Sequence, residues 1–316
     1  MSQLFRLIKN EHIKIYKRLG TWIMVGLLLG VILLVGMMTR FVFATDDSEE
    51  WRTQLITENQ QFEESMNDHP AMMAGTQYVK QQIELNEYRL THDLAPQVSD
   101  SLWGFMIDAT TFSAVVSLFT IVIAAGIVAN EFSTGTIKLL LIRPVSRARI
   151  LLSKYVTTLL FALFMLLLLF SASYLIGLTL FGYSSAEIPY LAYRNGEVVE
   201  ENMLLHIIRL LGFRSVDLIM VVTVAFTIST VFRSSSLAIG LSLFLMFTGP
   251  QIVQLLAQYD WVKYVLFANT DLQQYVNGTP LVEGMSLSFS ITILCLYFIF
   301  LIMTSWAIFK RRDVAV

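Results

Sequence analysis

The apolar runs of this chain limit its fold more than any other feature. They cover residues 21–44, 110–130, 155–181, 218–232, 237–248 and 286–309, and Arg40 is the only charged side chain in them. An α-helix needs about 20 apolar residues to cross a hydrocarbon core roughly 30 Å thick. Lipid offers no water to backbone N–H and C=O groups, so each crossing segment must satisfy its own hydrogen bonds as a helix. At 55% hydrophobic and 15% charged residues, with mean hydropathy +0.63, the composition excludes an ordinary soluble domain. The expectation is an all-α membrane protein with six transmembrane helices.

Charge then sets the direction of each span. The net charge of -2 conceals an asymmetry: bases gather in the N-terminus, in residues 131–154 and at the C-terminus, while residues 45–100 hold twelve acids against three bases. Basic loops stay on the cytoplasmic side, so both termini and the 131–154 loop are expected there, in the plasma membrane. Nothing in this pattern points to nucleic acid. Residues 1–19 are amphipathic at helical spacing, with Leu4, Phe5, Ile8, Ile15 and Leu19 opposite Arg6, Lys9, Asn10 and Lys17. That segment reads as a cytoplasmic interfacial helix with its apolar face in lipid. Residues 20–44 form an uncleaved first span, because the apolar run is about twice the length of a signal-peptide core.

Residues 45–100 are expected outside the cell as a helical hairpin. Trp51, Leu55, Phe62 and Met66 share one helical stripe, Val79, Ile83 and Leu90 another, with Pro70 and Gly75 breaking the chain between them. Residues 101–316 carry spans two to six. Span two starts at the interfacial aromatics Trp103 and Phe105, with Asp108 near its outer mouth, and span three follows at residues 155–181. Residues 203–214 are either an outer interfacial helix or the top of a tilted fourth span, with Asp217 near Arg214 and Arg209. Gly249-Pro250 interrupts span five, so residues 251–259 and 261–268 are expected as an outer re-entrant hairpin between spans five and six.

The polar interruption at residues 131–154 is short and unusual. It holds Lys138, Arg143, Arg147, Arg149 and Lys154 against a single acid, Glu131. Residues 136–142 read as a turn or two of helix, loosened before by Gly135 and stopped by Pro144. Ser146 offers the N-cap of the next helix. Glu131, Gly135-Thr136, Leu139-Leu140, Pro144 and Ser146-Arg147 resemble the first cytoplasmic loop of ABC-2 type exporter permeases. The order of spans and the tail Lys310-Arg311-Arg312-Asp313 share in the resemblance; residues 45–100 do not.

That resemblance implies a coupling helix seated in a groove of an ABC ATPase subunit. Leu139, Leu140 and Ile142 would be its buried anchors, and Lys138, Arg143 and Arg147 would orient it. Glu131 would either cap the helix or pair with a base. The implied assembly holds two ATPase copies and a second permease copy, as a homodimer or a heterodimer with a related permease, in membrane lipid. The chain itself shows no phosphate loop, no H-E-x-x-H and no G-x-S-x-G, so it is expected to be no enzyme and to bind no cofactor. ATP-Mg would sit in the partner ATPase. A non-transporting membrane sensor or scaffold, whose extracellular hairpin binds a ligand or partner, is the alternative. Cys295, alone in an apolar run, reads as structural filler, and Asn277-Gly278-Thr279 matches a glycosylation acceptor.

Sidedness is directly measurable. In a Cys295→Ala background, a cysteine at Ser65 is expected to react with an impermeant maleimide on intact cells, and one at Ser133 only after permeabilisation. The reverse pattern overturns the topology.

Overall fold

A computed structural model describes residues 3–43, 51–68, 73–96, 100–136, 145–183, 189–194, 196–232, 234–276, 280–282 and 284–311. The structure is mostly helical. It opens with α1 (Gln3–Tyr16) and α2 (Leu19–Phe41), followed by α3 (Trp51–Asp68) and α4 (Met73–His92). Next come α5 (Leu102–Ala109), a 3-10 turn at Thr110–Phe112, α6 (Ser113–Ser133) and α7 (Arg147–Phe181). After β1 (Tyr190–Arg194) and β2 (Glu197–Glu201) the chain continues as α8 (Met203–Val231) and α9 (Ser235–Leu255). A one-turn α10 (Leu266–Asn269) lies between 3-10 turns at Asp260–Tyr264 and Leu272–Tyr275, and α11 (Leu287–Arg311) closes the described chain. Among the described residues, six helical segments are long and apolar enough to cross a membrane: α2, α5 with α6, α7, α8, α9 and α11.

The α5–α6 span is the hub. Its apolar window is 72% buried, whereas that of α11 is 11% buried, so α11 lies at the rim and α6 at the centre. Small residues make this possible. Ala124, Ala125, Val128 and Ala129 of α6 are fully buried, and the Ser229 hydroxyl of α8 accepts from the N–H groups of Val128 (3.2 Å) and Ala129 (3.1 Å). Tyr155 and Thr223 join α7 to α8 through their hydroxyls at 2.8 Å, and Ser305 donates to Thr227 at 3.0 Å between α11 and α8. Lipid tails are as apolar as leucine, so close packing and such polar bonds specify the bundle more than burial does. Gly177 is where α7 meets α5: a Cβ there would lie 2.8 Å from Leu102 Cδ1 and 3.1 Å from Phe105.

Of the two readings of residues 203–214, the structure has the second: the fourth span is one continuous helix from Met203, capped by Asn202, whose side chain accepts from the Leu205 N–H at 3.2 Å. Other elements differ from the sequence reading. Gly75 lies inside α4 instead of before it. The α3–α4 seam follows the Leu55 stripe but is centred on buried Asn86, which donates to Asn59 at 2.9 Å and Glu58 at 3.3 Å. Pro250 does not stop span five, because α9 runs through it to Leu255. Proline removes only one donor, and at Gly249 a Cβ would lie 2.5 Å from the Phe267 ring, so α10 packs against the helix where the break was expected. Beyond Leu255 a series of 3-10 and single α turns replaces the two amphipathic pieces. An antiparallel hairpin, Tyr190 opposite Glu201 with Gly196 in the turn at φ 90°, occupies residues to which the sequence reading assigned no element. Cys295 fills no core; it is exposed on the apolar flank of α11.

Overpacking at the α7–α5 contact typically costs about 1–3 kcal/mol. Gly177→Leu is therefore expected to lower the melting temperature in detergent. Gly26→Leu, where nothing lies within 4 Å of an added Cβ, is expected to leave it unchanged.

Candidate functional site

The 131–154 loop leaves the bundle from α6 and returns through α7, and a cluster of four charges joins its two ends. Lys154, in the second turn of α7, is 0% exposed. Its ammonium donates to Glu11 Oε2 (2.9 Å) and to the Ile127 carbonyl (3.3 Å), and pairs with Glu131 Oε1 (2.7 Å). All three of its hydrogens are thus used. Lys14 closes the set, at 2.7 Å from Glu11 Oε1 and 3.2 Å from Glu131 Oε1. Two carboxylates and two ammoniums cancel, which is how charges persist inside packed helices. Glu131 is the incomplete member: its Oε1 takes both lysines, while its Oε2 is buried without a hydrogen bond among the described residues. Burial works to raise the Glu11 carboxyl, but Lys154 and Lys14 outweigh it and hold the group below its ordinary 4.5.

This cluster explains the position of α1. The expected lipid-facing stripe is only partly correct: Phe5 and Leu19 are exposed, but Ile15 and Glu11 are buried against α7. Gln3 Oε1 accepts from Arg149 at 3.1 Å, and the Tyr16 ring sits edge-on to Phe164 with centroids 5.4 Å apart. Thr21 and Trp22 at the start of α2 donate back to the carbonyls of Ile15 (2.6 Å) and Tyr16 (2.9 Å). The helix is therefore clamped along the base of α7.

Of the loop residues singled out from the sequence, Glu131 does pair, and among the described residues its partners are Lys154 and Lys14. Gly135 has φ 71°, a conformation that favours glycine. The hydroxyls of Thr134 and Thr136 meet at 2.9 Å. Ser146 occupies the N-cap of α7, but its carbonyl accepts the first bonds, from Arg149 and Ile150, and its side chain makes no cap bond. Arg147 donates to the Lys310 carbonyl at 3.0 Å, joining the loop to the end of α11. Lys138, Leu139, Leu140, Ile142, Arg143 and Pro144 lie outside the described residues, as do the Arg312-Asp313 end of the tail and Asn277-Gly278-Thr279. Glu11 was not singled out from the sequence; its place in the Leu4, Leu7, Ile8, Glu11, Ile15 stripe is the available signal.

The opposite end of the bundle carries a second charged set. Glu201 pairs with Arg209 and, at 2.6 Å, with Arg194; the hydrogen bond from Arg209 holds its carboxyl below the ordinary value. The rings of Tyr190 and His206 stack at 3.4 Å, and Tyr88 donates to Glu200 at 3.1 Å. Through these contacts α4, the β-hairpin and α8 hold together. Arg209 is thereby committed to Glu201, and Asp217 faces Arg214 and Thr270 instead. Asp108 is exposed. No group of three or more histidine, cysteine or acidic residues suited to a metal occurs among the described residues.

Six spanning-length helical segments with lipid-compatible flanks, among the described residues, define a multi-pass helical membrane protein. The chain belongs to the family described as Protein of unknown function (DUF2705), which matches residues 71–315. It is 42% identical over 315 residues to Uncharacterized protein YhcI of Bacillus subtilis (strain 168), covering 99% of this chain and all of that one. Over 217 residues it is 34% identical to Uncharacterized membrane protein YdbK of the same organism, covering 67% of this chain and 83% of that one.

Removing one partner from a buried ion pair typically costs about 3–5 kcal/mol, whereas replacing the pair by apolar side chains is often neutral. Lys154→Met is expected to destabilise the protein by that order, and Lys154→Met with Glu131→Leu to recover most of it, because Glu11 and Lys14 remain paired. Acid melts supply a second check. A carboxyl with a lowered pKa contributes stability fully above its ordinary 4.5 and loses it as pH falls through the lower folded value. Glu11→Gln is expected to flatten the acid limb below that pH.

Proposed function

We propose that the chain is the permease subunit of an ABC-2 type exporter, dimeric and driven by a separate ATPase that docks on the 131–154 loop. The observation that carries this reading is the Glu11–Lys14–Glu131–Lys154 cluster. It fixes the end of α6, the start of α7 and the N-terminal helix to one another, so a push on the loop is delivered to two spans together. A chain with no nucleotide motif of its own must receive work mechanically, and a loop firmly anchored at both ends suits that task. Under this reading the loop end is cytoplasmic, in the plasma membrane, and α3, α4 and the β-hairpin face outward. The residue pattern at Glu131, Gly135-Thr136, Leu139-Leu140, Pro144 and Ser146-Arg147 supports the same assignment. ATP-Mg belongs to the ATPase, and no enzymatic step is assigned to this chain.

Leu140→Asp would place a charge in the docking interface, costing several kcal/mol (about 3–5) where it stays unpaired. The expected result is loss of ATPase co-purification and of ATP-dependent transport, with normal membrane insertion. Retention of both by Leu140→Asp and by Gly135→Pro would remove the coupling role from this loop.

A further inference from the structure

A cavity of about 320 Å³ opens between the start of α6, the middle of α8 and the far end of α9. Its polar wall holds Thr111, Ser117, Arg214 and Asp217, and its apolar wall holds Met246 and Pro250. Three features mark it as built. First, Arg214 and Asp217 share it and feel each other's charge without forming a close ion pair, and the buried Arg214 Nε has no hydrogen bond among the described residues. A guanidinium nitrogen left so in an apolar bundle is costly, and an arginine within a span is functional by default. Second, the α5–α6 span breaks into its 3-10 turn at Thr110–Phe112, where Thr111 enters the wall. Irregular backbone at this depth is tolerated where it lines a cavity. Third, Pro250 denies the Met246 carbonyl its i+4 donor, and both residues line the same space.

We propose that this cavity binds the headgroup of a zwitterionic amphiphile, its anionic group on Arg214 and its ammonium on Asp217. Asp217 already meets Thr270 and faces Arg214, so a single cation or a single anion would complete the surroundings of only one of the two side chains. A molecule carrying both charges a few bonds apart satisfies each. The volume equals that of about ten liquid waters, enough for a small phosphate–ammonium headgroup, and Phe247, which lines the cavity and is exposed, offers apolar surface for the tail. This deepens the exporter reading by naming the cargo class, and it rests on that reading only for the word cargo.

The test uses the full chain purified in dodecyl maltoside. Lysophosphatidylethanolamine, lysophosphatidylglycerol and an alkyltrimethylammonium of matched tail are titrated, and bound molecules are counted by native mass spectrometry. One charge-assisted hydrogen bond predicts about tenfold tighter binding of the zwitterion than of either singly charged amphiphile. Arg214→Gln is expected to abolish the preference over the cation, and Asp217→Asn the preference over the anion. Ala114→Leu, at the cavity's exposed mouth, obstructs it without altering charge and is expected to weaken zwitterion binding by a similar factor. Equal binding of all three amphiphiles, or unchanged binding in Ala114→Leu, overturns the site even where the charge variants fail to fold. Displacement by phosphoethanolamine at equal concentration overturns the amphiphile in favour of a soluble zwitterion. Selective binding without ATP-dependent transport by the permease–ATPase complex sinks the exporter reading alone, and transport without selective binding sinks this one alone.

Discussion

The Lys154 ammonium has to remain charged inside packed helices, and the loop end of the bundle is arranged around that requirement. Desolvating an ammonium costs several kcal/mol, about the stability of a small domain, unless its hydrogens find acceptors. One carboxylate comes from α6, one from α1 and a carbonyl from α6, so three segments must be in place before Lys154 is satisfied. The N-terminal helix is thus part of the bundle's own folding. Lys14 then balances the second carboxylate. The set is cooperative: no member can leave without exposing another to an apolar surrounding.

The spans were legible in the sequence because hydropathy depends on the residues of each segment alone. Their ends were less so. The start of α7 is the exception: Ser146 marks it, and Arg147 and Arg149 fall in its first turn, since arginine is a good helix former and its charge can reach past the helix end. Pro250 was the misleading residue. Its local cost is real, but the contact between Gly249 and Phe267 keeps α9 helical, and a contact across the chain cannot be read from neighbours in sequence. The β-hairpin was hidden by its shortness and by glutamates at 197, 200 and 201, which read as loop. At the candidate site the basic loop was plain from composition. The pairing of Lys154 with Glu11 was not, because 143 positions separate them and only the fold brings them to 2.9 Å.

Interhelix chemistry here is weak bond by bond and specific in sum. Ser229 takes two backbone N–H groups of α6, Thr227 meets Ser305, and Tyr155 meets Thr223. Each of these is worth on the order of 1 kcal/mol in a membrane, so none dominates. Together they fix how α6, α7, α8 and α11 rotate about their axes, which hydropathy leaves free. That rotation brings Ser117 and Thr111 to the same cavity that Arg214 and Asp217 line.

One span connects the two charged places. Residues Leu102–Ser133 carry Glu131 at one end and the 3-10 turn Thr110–Phe112 toward the other. About 20 residues of helix, roughly 30 Å, lie between them. The intervening segment is the most buried in the bundle, and its backbone is gripped by Ser229. A helix held so tightly does not bend along its length, so displacement of the Glu131 end is taken up where the helical hydrogen-bond pattern is already broken. That place is the wall of the cavity. Under the proposed coupling role, a loop that moved Glu131 relative to Lys154 would act on the space around Arg214 and Asp217, which makes the loop and the cavity's 3-10 turn two ends of one mechanical element in that proposal.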